Sequence, residues 1–96
     1  MYLNDLLKSR REEILRIAAK HGAQNVRVFG SVARGDADSQ SDIDLLVEFK
    51  QGTTLLGHAA LMQELEDLLG VKVDVVSERG LRDRVRERVL REAVAI

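Results

Sequence analysis

Val26-Arg27-Val28-Phe29-Gly30-Ser31 and, after a short polar stretch, Ser41-Asp42-Ile43-Asp44-Leu45-Leu46-Val47-Glu48-Phe49 decide how this chain folds. The first run alternates apolar and polar residues and stops at a glycine, and Ile43 to Phe49 is a second, more apolar run; both read as strands. Between them Ser31 to Asp38 is small and polar, which suits a short helical turn followed by a loop. Upstream, from Asn4 to about Lys20, Leu7, Ile14, Ile17 and Ala18 recur near helical spacing. Gly22 then sits where a left-handed cap is expected. Downstream, Leu55 to Leu69 carries Leu61, Leu65, Leu68 and Leu69 on one helical face and ends at Gly70. Val71-Lys72-Val73-Asp74-Val75-Val76 reads as a third strand. Ser77 is a candidate N-cap for a last helix, whose apolar stripe is Leu81, Val85 and Val89 with Leu90 and Ala93 beside them. The order helix, strand, short helix, strand, helix, strand, helix predicts an α/β or α+β fold. In it one small mixed sheet is packed with helices, as a single domain over residues 1–96.

Composition narrows the function classes. The 15 basic and 16 acidic side chains nearly cancel, so no global positive field favours nucleic acid. Tyr2, Phe29 and Phe49 are too few rings for a base-stacking platform. Nucleic acid is therefore not expected as the principal ligand. With no cysteine, a bound metal must use oxygen or imidazole ligands, which suits the hard cations magnesium and manganese. No segment approaches the ~20 apolar residues of a membrane span, and a soluble cytoplasmic protein without a membrane partner is expected.

Side chains two apart on a strand share a face, so Asp42 and Asp44 point the same way if the strand starts at Asp42. Two carboxylates so close repel unless a cation sits between them. Asp74, flanked by Val73 and Val75, is costly to bury without a partner. A sheet that brings it beside the pair makes a three-carboxylate cluster, the kind of site that holds two magnesium ions in phosphate chemistry. Gly30-Ser31 follows a strand and precedes a helical turn, where backbone N–H groups bind phosphate oxygens. Ser31 adds a hydroxyl, and Arg34, one turn on, a charge-assisted contact.

Gly30-Ser31-Val32-Ala33-Arg34-Gly35 followed by Ser41-Asp42-Ile43-Asp44-Leu45-Leu46-Val47 resembles the signature of the polymerase-β-like nucleotidyltransferase superfamily, with Asp74 standing where its third catalytic carboxylate is expected. The likeness covers nearly the whole chain. It is nearest to the minimal nucleotidyltransferases, the MntA-like antitoxins that partner HEPN toxins. The resemblance implies the polymerase-β-like fold and Mg-dependent transfer of a nucleoside monophosphate to a hydroxyl, with release of pyrophosphate. In that scheme Asp42 and Asp44 are catalytic metal ligands, and Asp74 completes the metal site and helps activate the hydroxyl. Gly30, Ser31 and Arg34 hold the triphosphate. It further implies ATP as substrate, two Mg2+ ions (or Mn2+), and a tyrosine of a HEPN toxin as acceptor, so that the protein acts as an antitoxin by AMP transfer.

Each piece alone has a plainer reading. Ser41-Asp42-x-Asp44 suits an N-capped turn, Gly30 a tight turn, Asp74 a solvent-facing strand residue, and Arg34 a surface arginine near Asp36 and Asp38. Glu48 is too far along the strand to reach the same metals. His21 suits a charge at a helix end, and His58 an exposed position. The arginines of the tail, Arg82, Arg84, Arg86, Arg88 and Arg91, interleave with Asp83, Glu87 and Glu92, which predicts a salt-bridged, solvated helix face first and a partner-docking surface second. Two other functions remain open: a binding antitoxin that covers its partner without turnover, and a small-molecule nucleotidyltransferase whose partner supplies a substrate-binding subunit.

Overall fold

The computed structural model describes residues 2–38 and 41–96. Helices α1 (Tyr2–Ser9) and α2 (Arg11–Lys20) lead into strand β1 (Ala23–Phe29), the short helix α3 (Gly30–Arg34) and strand β2 (Ile43–Phe49). Helix α4 (Leu55–Leu69), strand β3 (Val73–Ser77), a 3-10 turn over Glu78–Gly80, helix α5 (Asp83–Glu92) and strand β4 (Val94–Ala95) complete the order. The strands form one mixed sheet in the order β3-β2-β1-β4. β2 and β3 are parallel, joined through α4, and the other neighbours are antiparallel.

Alternation along β2 sorts the sheet into two faces. Ile43, Leu45 and Val47 are buried in one apolar cluster with Val26 and Val28 of β1, Val73 and Val75 of β3, and the inward residues of the helices, among them Leu7, Ile14, Val32, Leu61 and Leu65. Asp44, Leu46 and Glu48 project from the opposite face. Leu46 is fully buried there although it stands outside that cluster, as does Val89, the one buried residue of α5. The carboxylates thus stand on the face away from the main core.

Several boundaries differ from expectation, among them β3, which runs Val73–Ser77 and leaves out Val71 and Lys72. The first helix is broken at Arg10, where the Ser9 hydroxyl donates to the Leu6 carbonyl (3.0 Å) that also accepts from the Arg10 N–H (3.1 Å). β1 begins three residues before Val26, across a bulge between Gln24 and Arg27 that holds Asn25 at φ 51°. Ser77 ends β3 and caps no helix: the chain makes a 3-10 turn, passes through extended Leu81 (φ −72°, ψ 133°), and starts α5 only at Asp83. The chain after α5 forms β4, which pairs Val94 with Val28 and Ala95 with Arg27.

The tail helix is also less self-contained than its charge pattern suggests. Among the described residues Arg82, Arg84, Arg88 and Arg91 make no ion pair, and Arg86 reaches out of the helix to the Glu78 carbonyl (2.9 Å). The outer edge of β3 is closed by side chains of α4. The Val73 N–H donates to Glu66 Oε2 (3.1 Å) and the Val75 carbonyl accepts from His58 Nε2 (2.6 Å). Those groups would otherwise offer an open pairing edge.

Candidate active site

Register builds the carboxylate cluster. Parallel pairing sets Asp74 of β3 directly beside Asp44 of β2, and antiparallel pairing sets Phe29, the last residue of β1, opposite Asp44 on its other side. Asp42 immediately precedes β2, two residues before Asp44 and one residue outside the strand on which it was expected. Its loop is tied down by Ser41, whose hydroxyl accepts from the Asp38 N–H (2.9 Å) and donates to the Asp38 carboxylate (3.2 Å). Asp42 and Asp74 are exposed, while Asp44 between them is half-buried.

The electrostatics follow from that placement. Burial, then the neighbouring charges of Asp74 and Asp42, hold the Asp44 carboxyl above its ordinary range, with Arg34 acting in the other direction and Glu92 adding to the rise. A carboxyl whose ionised form is disfavoured by burial and neighbouring charge suits a hard divalent cation, and the donors beside it are carboxylate oxygens. Among the described residues no three acidic or histidine side chains converge as a complete metal cage.

Gly30 lies against this cluster. Its φ of 75° is left-handed, and a Cβ there would run into the Asp44 carboxylate, so both conformation and space demand glycine. The Gly30 N–H donates to Glu92 Oε1 at 2.9 Å, and Arg34 Nη1 donates to the same oxygen at 3.0 Å. Arg34 Nε also donates to Asp36 Oδ2 (3.2 Å), the surface pairing that its neighbourhood predicts. The Ser31 hydroxyl makes no hydrogen bond among the described residues, and Val32, buried in the core, anchors the turn beneath it.

Glu92, which the charge pattern of the tail places on a solvated helix face, instead joins the site through Gly30 and Arg34. A signal was present, because an acid in the last turn of a helix opposes the helix dipole and needs compensation. His21 and His58 also have more definite places than expected. His21 Nε2 meets Glu64 Oε2 at 3.0 Å, and His58 is half-buried, bonded to Val75 and 4.9 Å from the Phe49 ring centre. Neither is hydrogen-bonded to Asp42, Asp44 or Asp74.

A family model for the nucleotidyltransferase domain matches residues 10–96. The chain belongs to the nucleotidyltransferase family. A relative of this nucleotidyltransferase in Methanocaldococcus jannaschii is 41% identical over 86 residues, covering 90% of this chain and 92% of the relative. Another, named protein adenylyltransferase MntA, from Thermococcus cleftensis, is 40% identical over 77 residues, covering 80% and 78% of the two chains. A solved structure described as a minimal nucleotidyltransferase is 61% identical and superposes with a TM-score of 0.87, covering 96% of this chain and 94% of the other. A toxin–antitoxin structure with AMP-PNP shares the fold at 23% identity and a TM-score of 0.76, over 88% of this chain and 69% of that one. The mixed sheet flanked by helices is therefore the minimal nucleotidyltransferase fold.

Proposed function

We propose that the protein is an Mg-dependent protein adenylyltransferase that moves AMP from ATP to a tyrosine hydroxyl of a HEPN-type toxin and thereby acts as its antitoxin. The observation that carries the site is the register pair Asp44–Asp74 with Asp42 beside it and Gly30 abutting the Asp44 carboxylate. The acceptor and the nucleotide are supported by relatives: one is named protein adenylyltransferase MntA, and solved structures of similar fold include a tri-AMPylated HEPN toxin in complex with its MNT antitoxin. The 96 residues act as one domain.

On this reading Asp42 and Asp44, with Asp74, hold the metal ions, which supply neutralisation of phosphate charge. Gly30 N–H, the Ser31 hydroxyl and Arg34 bind the β- and γ-phosphate oxygens, orienting the α-phosphorus toward the exposed side of Asp74. The attacking hydroxyl loses its proton toward Asp74 as its oxygen bonds to the α-phosphorus, and the bond from that phosphorus to the bridging oxygen breaks to release pyrophosphate. Positioning and electrostatic complementarity are most of what such a transfer requires. No helix of the described residues is long and apolar enough to cross a membrane.

The test is incubation with ATP, Mg2+ and the HEPN protein, read by mass spectrometry. A tyrosine adduct of AMP is expected with the wild type and absent with Asp42→Ala or Asp44→Ala. An adduct that persists in both variants refutes the assigned roles. Protection from toxicity by an adduct-free Asp42/Asp44 double variant points instead to neutralisation by binding alone.

A further inference from the structure

The Glu92 carboxylate sits where the proposed nucleotide site needs an anion. One of its oxygens accepts from both the Gly30 N–H (2.9 Å) and Arg34 Nη1 (3.0 Å), the two donors assigned above to phosphate oxygens. Convergence of a backbone N–H and a guanidinium on a single oxygen is the arrangement a phosphate oxygen takes. The same carboxylate adds its negative charge to the neighbourhood of Asp44, which already faces Asp42 and Asp74. Glu92 and a triphosphate oxygen therefore compete for the same two donors. Both are anions, and they cannot share one position.

Glu92 is also placed to leave. Its side chain is 23% exposed, so the way to solvent is open. It is the last residue of α5, a helix with Val89 as its one buried residue, and it precedes the two-residue strand β4. The residues beyond it are held, β4 by pairing with β1 and Ile96 by packing on the core, so the exchange needs only a turn of the Glu92 side chain and no shift of the helix.

We propose that Glu92 is a built-in competitor for the phosphate position. Its carboxylate holds Gly30 and Arg34 in the binding arrangement when no nucleotide is present, and exchanges with a phosphate oxygen when nucleotide enters. The strength with which α5 presents Glu92 then sets nucleotide affinity. This inference rests on the nucleotidyltransferase reading of the site given above.

The experiment compares wild type, Glu92→Gln and Glu92→Ala by titration calorimetry with two probes, inorganic tripolyphosphate and a non-hydrolysable ATP analogue, each with Mg2+. Both variants are expected to bind more tightly, Glu92→Ala by about tenfold and Glu92→Gln by less, because a neutral acceptor competes more weakly than a charged one. In parallel, the Gly30 amide resonance of 15N-labelled wild type should move when tripolyphosphate is added. In free Glu92→Ala it should start from a different position and move toward the same bound one. The Glu92→Gln variant keeps the acceptor oxygen, so it guards against misfolding in the alanine variant. Unchanged or weaker binding in both variants, with a wild type that binds, overturns the competitor role and leaves the nucleotide site standing. A wild type and variants that all fail to bind either probe overturn the nucleotide site itself, and the competitor role with it.

Discussion

Gly30 and Gly35 bracket the same short helix at nearly equal backbone angles, φ 75° and 80°, yet their surroundings differ. A Cβ on Gly35 would meet open space, whereas one on Gly30 would meet the Asp44 carboxylate. Gly35→Ala should therefore cost only the left-handed backbone penalty, about 1 kcal/mol, and leave AMP transfer intact. Gly30→Ala should cost on the order of 2–3 kcal/mol in urea unfolding and abolish transfer, because the carboxylate must move. Equal losses at the two positions would show that the contact with Asp44 is unimportant. Burial, then the neighbouring charges of Asp74 and Asp42, disfavour the ionised form of Asp44, so its charge works against the fold. Asp44→Asn should raise stability at pH 7 in the presence of a chelator while eliminating transfer, a trade of stability for function. A destabilised Asp44→Asn would mean that its carboxylate has favourable partners in the fold. Asp42 and Asp44 were legible as a pair from their two-residue spacing, and Asp74 as a lone acid in an apolar strand, while its place beside Asp44 is set by the parallel register. Glu92 was not legible, because its partners lie 58 and 62 residues away in the chain.

Elements were readable where their signal is local. β2 and α4 have the bounds that pattern and glycine punctuation predict, with Gly70 left-handed after α4. The tail was not, since the 3-10 turn and the late start of α5 are held by distant partners. Arg27 Nη2 donates to Glu78 Oε2 (3.2 Å), and that hydrogen bond, ahead of the charge attraction, keeps the Glu78 carboxyl below its ordinary range. A carboxylate whose folded-state pKa is depressed stabilises the fold above its unfolded pKa, and that contribution fades as pH falls through the folded value. Glu78→Gln should thus lower stability at pH 7 by up to about 1 kcal/mol, with the two proteins converging once the acid range below the ordinary carboxylate pKa is passed. A gap that persists undiminished in acid would assign the loss to packing instead. On the other side of the sheet, His58→Ala strips the Val75 carbonyl of its partner and Phe49 of a ring contact. A loss of about 1–3 kcal/mol is expected, measured by chemical denaturation, with greater self-association as the β3 edge opens.

For the molecule as a whole, small size makes ligand binding weigh heavily. A 96-residue chain has a total stability of roughly 5–14 kcal/mol by the usual per-residue range, and one face of its sheet carries acidic residues around the buried Leu46. The charge of Asp44 beside Asp42 and Asp74 is thus a standing cost, which on the proposed function a cation with nucleotide relieves. At a ligand concentration one hundred times Kd, binding to the folded state alone contributes about 2.7 kcal/mol. For a domain of this length that corresponds to a rise in Tm of roughly 10–20 °C. The rise should require both components: Mg2+ without nucleotide gives a small shift, nucleotide with a chelator gives little, and the pair together give the full effect. An Asp42→Ala/Asp44→Ala double variant should begin with a higher Tm than the wild type, since it has shed the repulsion, and should respond weakly to the pair. Differential scanning fluorimetry across these conditions checks both signs at once. A full rise in the double variant, or in wild type with chelator, would move nucleotide binding away from the carboxylate face of the sheet.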